Sequence, residues 1–217
     1  MLSNYISEQQ SVKQEIKDIC EALINSHTII NTSVKENNIN RFNEAKKYIN
    51  NIANRLNNID NYIIKILALY SPEARELRRF VAYLKITNEL LRINSNTKSF
   101  LKGYSKTVDI FKENNLSQYL VPLHTSSLQG LELVYEMFDI DEEDELQDKF
   151  NEVIVQENKT DDFYDILQEN VFTLTIEFKS INQLLKTSNK IAKIADRNIE
   201  IANLLLYYKI GGRLENI

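Results

Sequence analysis

Apolar residues recur at every third or fourth position along almost the whole chain, and that spacing leaves little room for any fold but a helix bundle. In the first stretch Val12, Ile16, Ile19, Leu23, Ile30 and Val34 fall on one stripe. The second stretch is cleaner, with Phe42, Ala45, Ile49, Ile52, Leu56, Ile59, Ile63 and Ile66 in alternating steps of three and four. Such a stripe is a seam for packing against other helices. The outer face of this second helix carries Asn50, Asn51, Asn54, Asn57 and Asn58, all poor helix formers. Burial of the seam must therefore supply most of its stability. Turn residues are correspondingly scarce. The chain has Gly 4 and Pro 2 in 217 residues, whereas an all-β fold spends both on many turns. Hydrophobic content of 43% is enough for a sizeable core.

Four further helices are predicted. Ser71-Pro72-Glu73 marks a new start, with Ser71 as cap and Pro72 at the first helical position, where it loses no hydrogen bond. The third helix then runs through Leu77, Val81, Leu84 and Leu91 towards Phe111, and Gly103 is expected to fray or bend it. After a break at Asn114-Asn115, Ser117 is a candidate cap for a fourth helix over about residues 118–138, in which Pro122 is tolerable only near the start. The acidic run from Asp139 to Glu145 lacks the alternating ligands and central Gly of a calcium loop, and reads as acids at the positive end of a helix dipole. A fifth helix reaches about Glu169. A sixth carries Leu174, Phe178, Ile181, Leu185, Ala192, Ala195, Ile199, Ala202 and Leu206, and Gly211-Gly212 stops it.

The two halves echo each other. Leu84-Lys85-Ile86-Thr87-Asn88 aligns without a gap on Leu185-Lys186-Thr187-Ser188-Asn189, and Leu90, Arg92 and Ile93 then fall on Ile191, Lys193 and Ile194. An internal duplication of a three-helix unit explains this simply. The expected architecture is all-α, two three-helix bundles related by a pseudo-twofold axis, over residues 1–113 and 114–217.

Charge and cysteine usage narrow the role. Lys+Arg 26 against Asp+Glu 31 gives a net charge of -5, which argues against a general nucleic-acid binder. The single cysteine, Cys20, excludes an internal disulfide and reads as a small buried apolar residue. His27 and His124 lie apart in sequence and read as surface or boundary histidines. No stretch reaches the roughly 18 apolar residues of a membrane span, and the start, Met1-Leu2-Ser3-Asn4-Tyr5, lacks the pattern of a signal peptide. A cytoplasmic protein is expected. No Gly-rich phosphate loop or nucleophile motif is present, so the reading is non-enzymatic.

Several segments resemble the PhoU family of phosphate-uptake regulators. Ser71-Pro72-Glu73-Ala74-Arg75-Glu76-Leu77-Arg78-Arg79 is similar to the family's qPxAxDLR signature, and Leu84-Lys85-Ile86 through Leu90-Leu91-Arg92-Ile93 to its LKI…LERIGD continuation. Residues 191–202, from Ile191 to Ala202, resemble LERIGDHxxNIA. Tyr207-Tyr208-Lys209-Ile210-Gly211 resembles the YYVKG ending, and Glu157-Asn158-Lys159-Thr160-Asp161 the DKKVD segment of the fifth helix. The resemblance spans nearly the whole chain in the family's order. It implies a non-enzymatic regulator that couples a phosphate ABC transporter, through its PstB-like ATPase, to a PhoR-like sensor kinase. It also implies a possible homodimer, no nucleic acid, and the membrane only through the transporter. Arg75, Arg78, Arg79 and Lys85 form the candidate partner-binding face, with solvation beside Glu73, Glu76 and Glu89 as the plainer reading. An accessory scaffold of a different phosphate permease, or a metal-binding helical protein, are the competing readings.

Family members bind iron or zinc clusters through acidic E/DxxxD pairs, which place two carboxylates on one helix face. Here the first-half positions fall on Leu91, Ser95, Ile49 and Ala53, none of them acidic. In the second half Glu157 and Asp161 keep one pair, and Asp196 keeps half of the other, with Ala192 in place of its partner. The resemblance thus leaves two alternatives: a degraded site for a divalent, iron or zinc ion at Glu157, Asp161 and Asp196, or solvated acids paired with lysines such as Lys193.

Overall fold

The structure, a computed structural model, describes residues 2–211, and side chains from Tyr5 onward. Seven helices follow in order: α1 (Leu2–Lys35), α2 (Phe42–Ile49), α3 (Ile52–Tyr70), α4 (Ala74–Glu113), α5 (Ser117–Met137), α6 (Glu143–Phe172) and α7 (Phe178–Lys209). They make six rods, because α2 and α3 are one rod interrupted at Asn50-Asn51. The interruption is local. Asn50 keeps helical dihedrals and donates its N–H to Lys46, while Asn51 swings to φ -100, ψ 3. Ile49 and Ile52 remain buried on either side, so the seam keeps its register through the break. Adjacent asparagines compete with the backbone for its hydrogen bonds, and this is where the predicted single helix gives way.

The first two seams are buried as expected. Val12, Ile16, Ile19, Leu23, Ile30 and Val34 are at most 1% exposed, and so is Leu56 of α3. The third seam is set differently. Leu77, Val81 and Leu91 are exposed, and α4 instead buries Phe80, Tyr83, Ile86, Leu90, Ile93, Phe100 and Tyr104. The reason is that α4 touches neighbours on two sides: α1 and α3 on one, α7 along nearly its whole length on the other. A rod buried twice carries no single stripe. Gly103 does not bend it. Any Cβ there would collide with the Thr187 side chain of α7, so glycine lets the two long helices approach closely. Phe178, expected on the α7 seam, is exposed.

The helix ends also shift. Ser71 does not cap α4 but closes α3 in the left-handed region at φ 44, and α4 begins two residues after Pro72. Ser117 lies inside α5 and its hydroxyl donates to Asn37. Asn37, Ser71 and Asn115 carry the positive-φ turns, and so a chain nearly without glycine still reverses direction. Glu143, Asp144 and Glu145 occupy the first turn of α6, where the helix dipole favours them. Gly211 follows α7, while Gly212, its expected partner as a stop, lies outside the described residues. α5, α6 and α7 pack against one another, α1 packs on α2–α3 and α4, and α4–α7 and α1–α5 contacts join the sets into one continuous core.

Candidate metal centre and cationic faces

Glu157 and Asp161 sit one turn apart on α6 and project towards α7, where Asp196 meets them. One oxygen from each of the three carboxylates lies within 4.8 Å of the others. Glu157 and Asp196 are half-buried and Asp161 is exposed. Burial and the neighbouring carboxylates Asp161 and Asp196 push Glu157 above its ordinary range. Asp161 is pushed up by burial, by Asp196, and by Asp165 and Asp162. Like charges are therefore held together, and neither Glu157 nor Asp161 has an ion-pair partner among the described residues. Asp196 alone is paired, 3.7 Å from Arg197 rather than with Lys193. The donor set can hold a metal ion. All-oxygen ligation without His or Cys suits a hard cation.

The first-half counterpart is reversed in charge. Ser95 lines a shallow basin with Arg92, Asn96, Lys193 and Arg197, so three cations ring the place where acids are missing. Ile49 is fully buried in the core. Among the described residues the first half brings together no acid cluster to attract a cation.

The arginines read as a partner face divide. Arg75 and Arg79, one turn apart, line a cleft with Lys13 and Lys209. Arg79 donates to Gln9 Oε1 at 2.9 Å and lies over Tyr208, while Arg78 lies over Tyr207. Lys85 is exposed on α4. Asp139 is bound by Lys13 at 2.9 Å and by Lys17; burial raises its carboxyl, but the two lysines outweigh this and hold it low.

The histidines are not at the surface. His27 and His124 are 2% and 0% exposed, with His27 Nδ1 3.0 Å from His124 Nε2 and His27 Nε2 2.8 Å from Thr97 Oγ1. Burial pushes His27 down to about 4, and burial with the neighbouring ring holds His124 well below its usual value. The pair ties α1, α4 and α5 together. Its signal was present in the sequence: His27 falls four residues after Leu23 and three before Ile30, on the α1 stripe. Cys20 is buried as well, and desolvation pushes its thiol up to about 12.

Fold and site define an all-α bundle protein with a carboxylate cluster between α6 and α7 and cationic faces where α4 meets α7 and where α1 meets α4. Residues 12–102 match the PhoU domain family. The crystal structure of the phosphate transport system regulatory protein PhoU from Streptococcus pneumoniae superposes with a TM-score of 0.78 and 18% identity, covering 98% of this chain and 100% of that one. PhoU from Pseudomonas aeruginosa gives 0.64 and 17%, covering 97% and 95%. No protein of curated function matches the chain in sequence. The chain has the fold of these two PhoU structures. Among the described residues no helix is long and apolar enough to cross a membrane.

Proposed function

We propose that this protein is a PhoU-type regulator of phosphate uptake and phosphate-starvation signalling, and not an enzyme. The observation that carries this is the coincidence of a PhoU-domain match over residues 12–102 with a PhoU fold over 98% of the chain. In this reading residues 1–113 and 114–217 are two copies of one three-helix unit. The matching burial of Thr87 and Ser188, Leu90 and Ile191, Ile93 and Ile194, and Thr97 and Asn198 supports that division. Exposed helix faces, with Arg75, Arg78, Arg79 and Lys85 among their residues, would bind a PstB-like ATPase and a PhoR-like kinase, and the output would be a shift in their conformational populations. Deleting the gene should raise phosphate-starvation reporters in high phosphate, and a pull-down from phosphate-replete cells should recover both partners. Unchanged reporter output together with an empty pull-down would overturn the proposal.

One observation favours an added metal role. Glu157, Asp161 and Asp196 converge without cationic neutralisation of the first two. A bound cation would neutralise that repulsion and bridge α6 to α7, and these three side chains would hold it. The donor chemistry favours magnesium, manganese or iron over zinc, which prefers nitrogen and sulfur. Elemental analysis of the purified protein should find metal at stoichiometric level, and a Glu157→Gln, Asp161→Asn double variant should lose it.

A further inference from the structure

A half-open cleft lies where the start of α1, the start of α4, the segment after α5 and the end of α7 come together. Its volume is about 440 Å³, in the range of small-molecule pockets. In a chain of net charge -5, its walls bring together Lys13, Arg75, Arg79 and Lys209 against a single carboxylate, Asp141. Part of that charge is answered locally. Lys13 pairs with Asp139 at 2.9 Å, and Lys209 reaches Asp141 at 3.4 Å and donates to the carbonyl oxygens of Phe138 and Ile140. The two guanidiniums are not answered. Arg75 has no partner among the described residues, and the polar contact of Arg79 is the neutral Gln9 side chain.

Two details indicate what is wanted there. The Lys209 side chain is only 8% exposed, so a buried ammonium shares a cleft wall with other cations, an arrangement whose mutual repulsion an anion would relieve. Gln9 is nine-tenths buried, lines the cleft, and has a side-chain amide N–H₂ without an acceptor. A buried donor left unmade is costly, and several donors converge on this space with few acceptors to meet them. Guanidinium forks match planar or tetrahedral oxyanions two bonds at a time, which selects an oxyanion over a halide.

We propose that this cleft binds a small phosphate-type oxyanion, free or as the charged end of a metabolite, with Arg75 and Arg79 as its main ligands and Lys13 as a third. The site goes beyond the regulatory reading and is tested without it, because it requires neither a transporter nor a kinase, although Arg75 and Arg79 also belong to the proposed partner face. It also draws on distant parts of the chain, since α1 contributes Lys13, α4 the two arginines, α7 Lys209 and the segment after α5 Asp141.

Calorimetric titration of the full chain at low ionic strength, with inorganic phosphate, pyrophosphate and ATP in turn, tests it. We expect at least one of the three to bind at millimolar concentration or below. Arg75→Gln and Arg79→Gln should each weaken that binding about tenfold or more, the loss of one charge-assisted pair, while Arg92→Gln in the other basic basin leaves it unchanged. Arg75 is exposed and makes no side-chain hydrogen bond or ion pair among the described residues, so its variant should fold normally even if Arg79→Gln does not. Phosphate as the tightest ligand identifies the free ion, and ATP or pyrophosphate tighter with the same arginine dependence identifies the end of a larger molecule. No binding of any probe, or binding that ignores both Arg75→Gln and Arg79→Gln, overturns the proposal.

Discussion

Thr97 of α4 and Asn198 of α7 are both buried polar residues that tie their helix to an earlier one, and in the proposed duplication they hold equivalent places. Thr97 does so through His27 of α1, and Asn198 through the Ser127 carbonyl of α5 at 2.9 Å. The first tie contains imidazoles that titrate, while the second contains an amide and a backbone oxygen that do not. The same frame is thus locked by chemically different bolts. The exposed faces diverge further: acids cluster beside Asp196, and cations surround Ser95. If the two halves are copies of one unit, as proposed, buried positions keep the frame and exposed positions change sign.

The largest effect should come from breaking the first frame outright. Leu56→Asp places an unpaired carboxylate at a position 1% exposed, and should destabilise by about 4 kcal/mol or more. Circular dichroism melting should show a lost or strongly lowered transition. A soluble variant melting as before would mean that α3 does not pack as described.

Acid should next separate the two ties. The folded-state pKa of His27 is lowered to about 4 from an ordinary 6.5, so protonation favours the unfolded chain. Stability from this group is fully present above pH 6.5 and falls as the pH drops from there towards 4. The loss at pH 5 is about 2 kcal/mol for this one histidine. Urea midpoints at pH 7.5 and 5 should differ accordingly, and hydrogen exchange should quicken around α1 before it does around Asn198. A His27→Gln variant should flatten the dependence.

A smaller test addresses the joint between the halves. Gly103→Ala should destabilise by about 1–2 kcal/mol, because overpacking against Thr187 outweighs the gain in helix propensity. Adding Thr187→Ala should restore most of the loss, and a double-mutant cycle reads the coupling.

The smallest effect concerns the acids. Glu157 and Asp161 are raised in the folded protein, so their contribution is favourable below their unfolded pKa values and is lost as the pH rises through the folded ones. Without added metal, Asp161→Asn should raise stability at neutral pH by a few tenths of a kcal/mol at most, because solvent screens an exposed group. With manganese or magnesium present the sign should reverse, which thermal melting in paired buffers would reveal.

The α1 and α2–α3 seams were legible because each rod buries one face, and period alone locates such a face. The α4 seam falls elsewhere than Leu77 and Val81 because α4 buries two faces, and its second contact, with α7, is closest at Gly103, a residue with no apolar side chain to mark it. Glu157, Asp161 and Asp196 could be picked out through the family pattern, and the structure brings the three together. The histidine pair and the cleft were not found. Each assembles from segments far apart in the chain, and a reading by local period cannot bring Lys13, Arg79 and Lys209 to one place. Ser71 and Ser117 looked like caps because serine often is one, yet a left-handed turn and a bond to Asn37 claimed them instead.

Cys20 leaves one practical consequence. It is the chain's only cysteine, wholly buried, with a thiol that burial keeps protonated at neutral pH and therefore unreactive. A second cysteine introduced at exposed Lys85 or Ile64 would be the sole group open to maleimide chemistry in the native fold. The natural sequence is thus already a clean background for attaching one dye or spin label, with no need to remove its own sulfhydryl first.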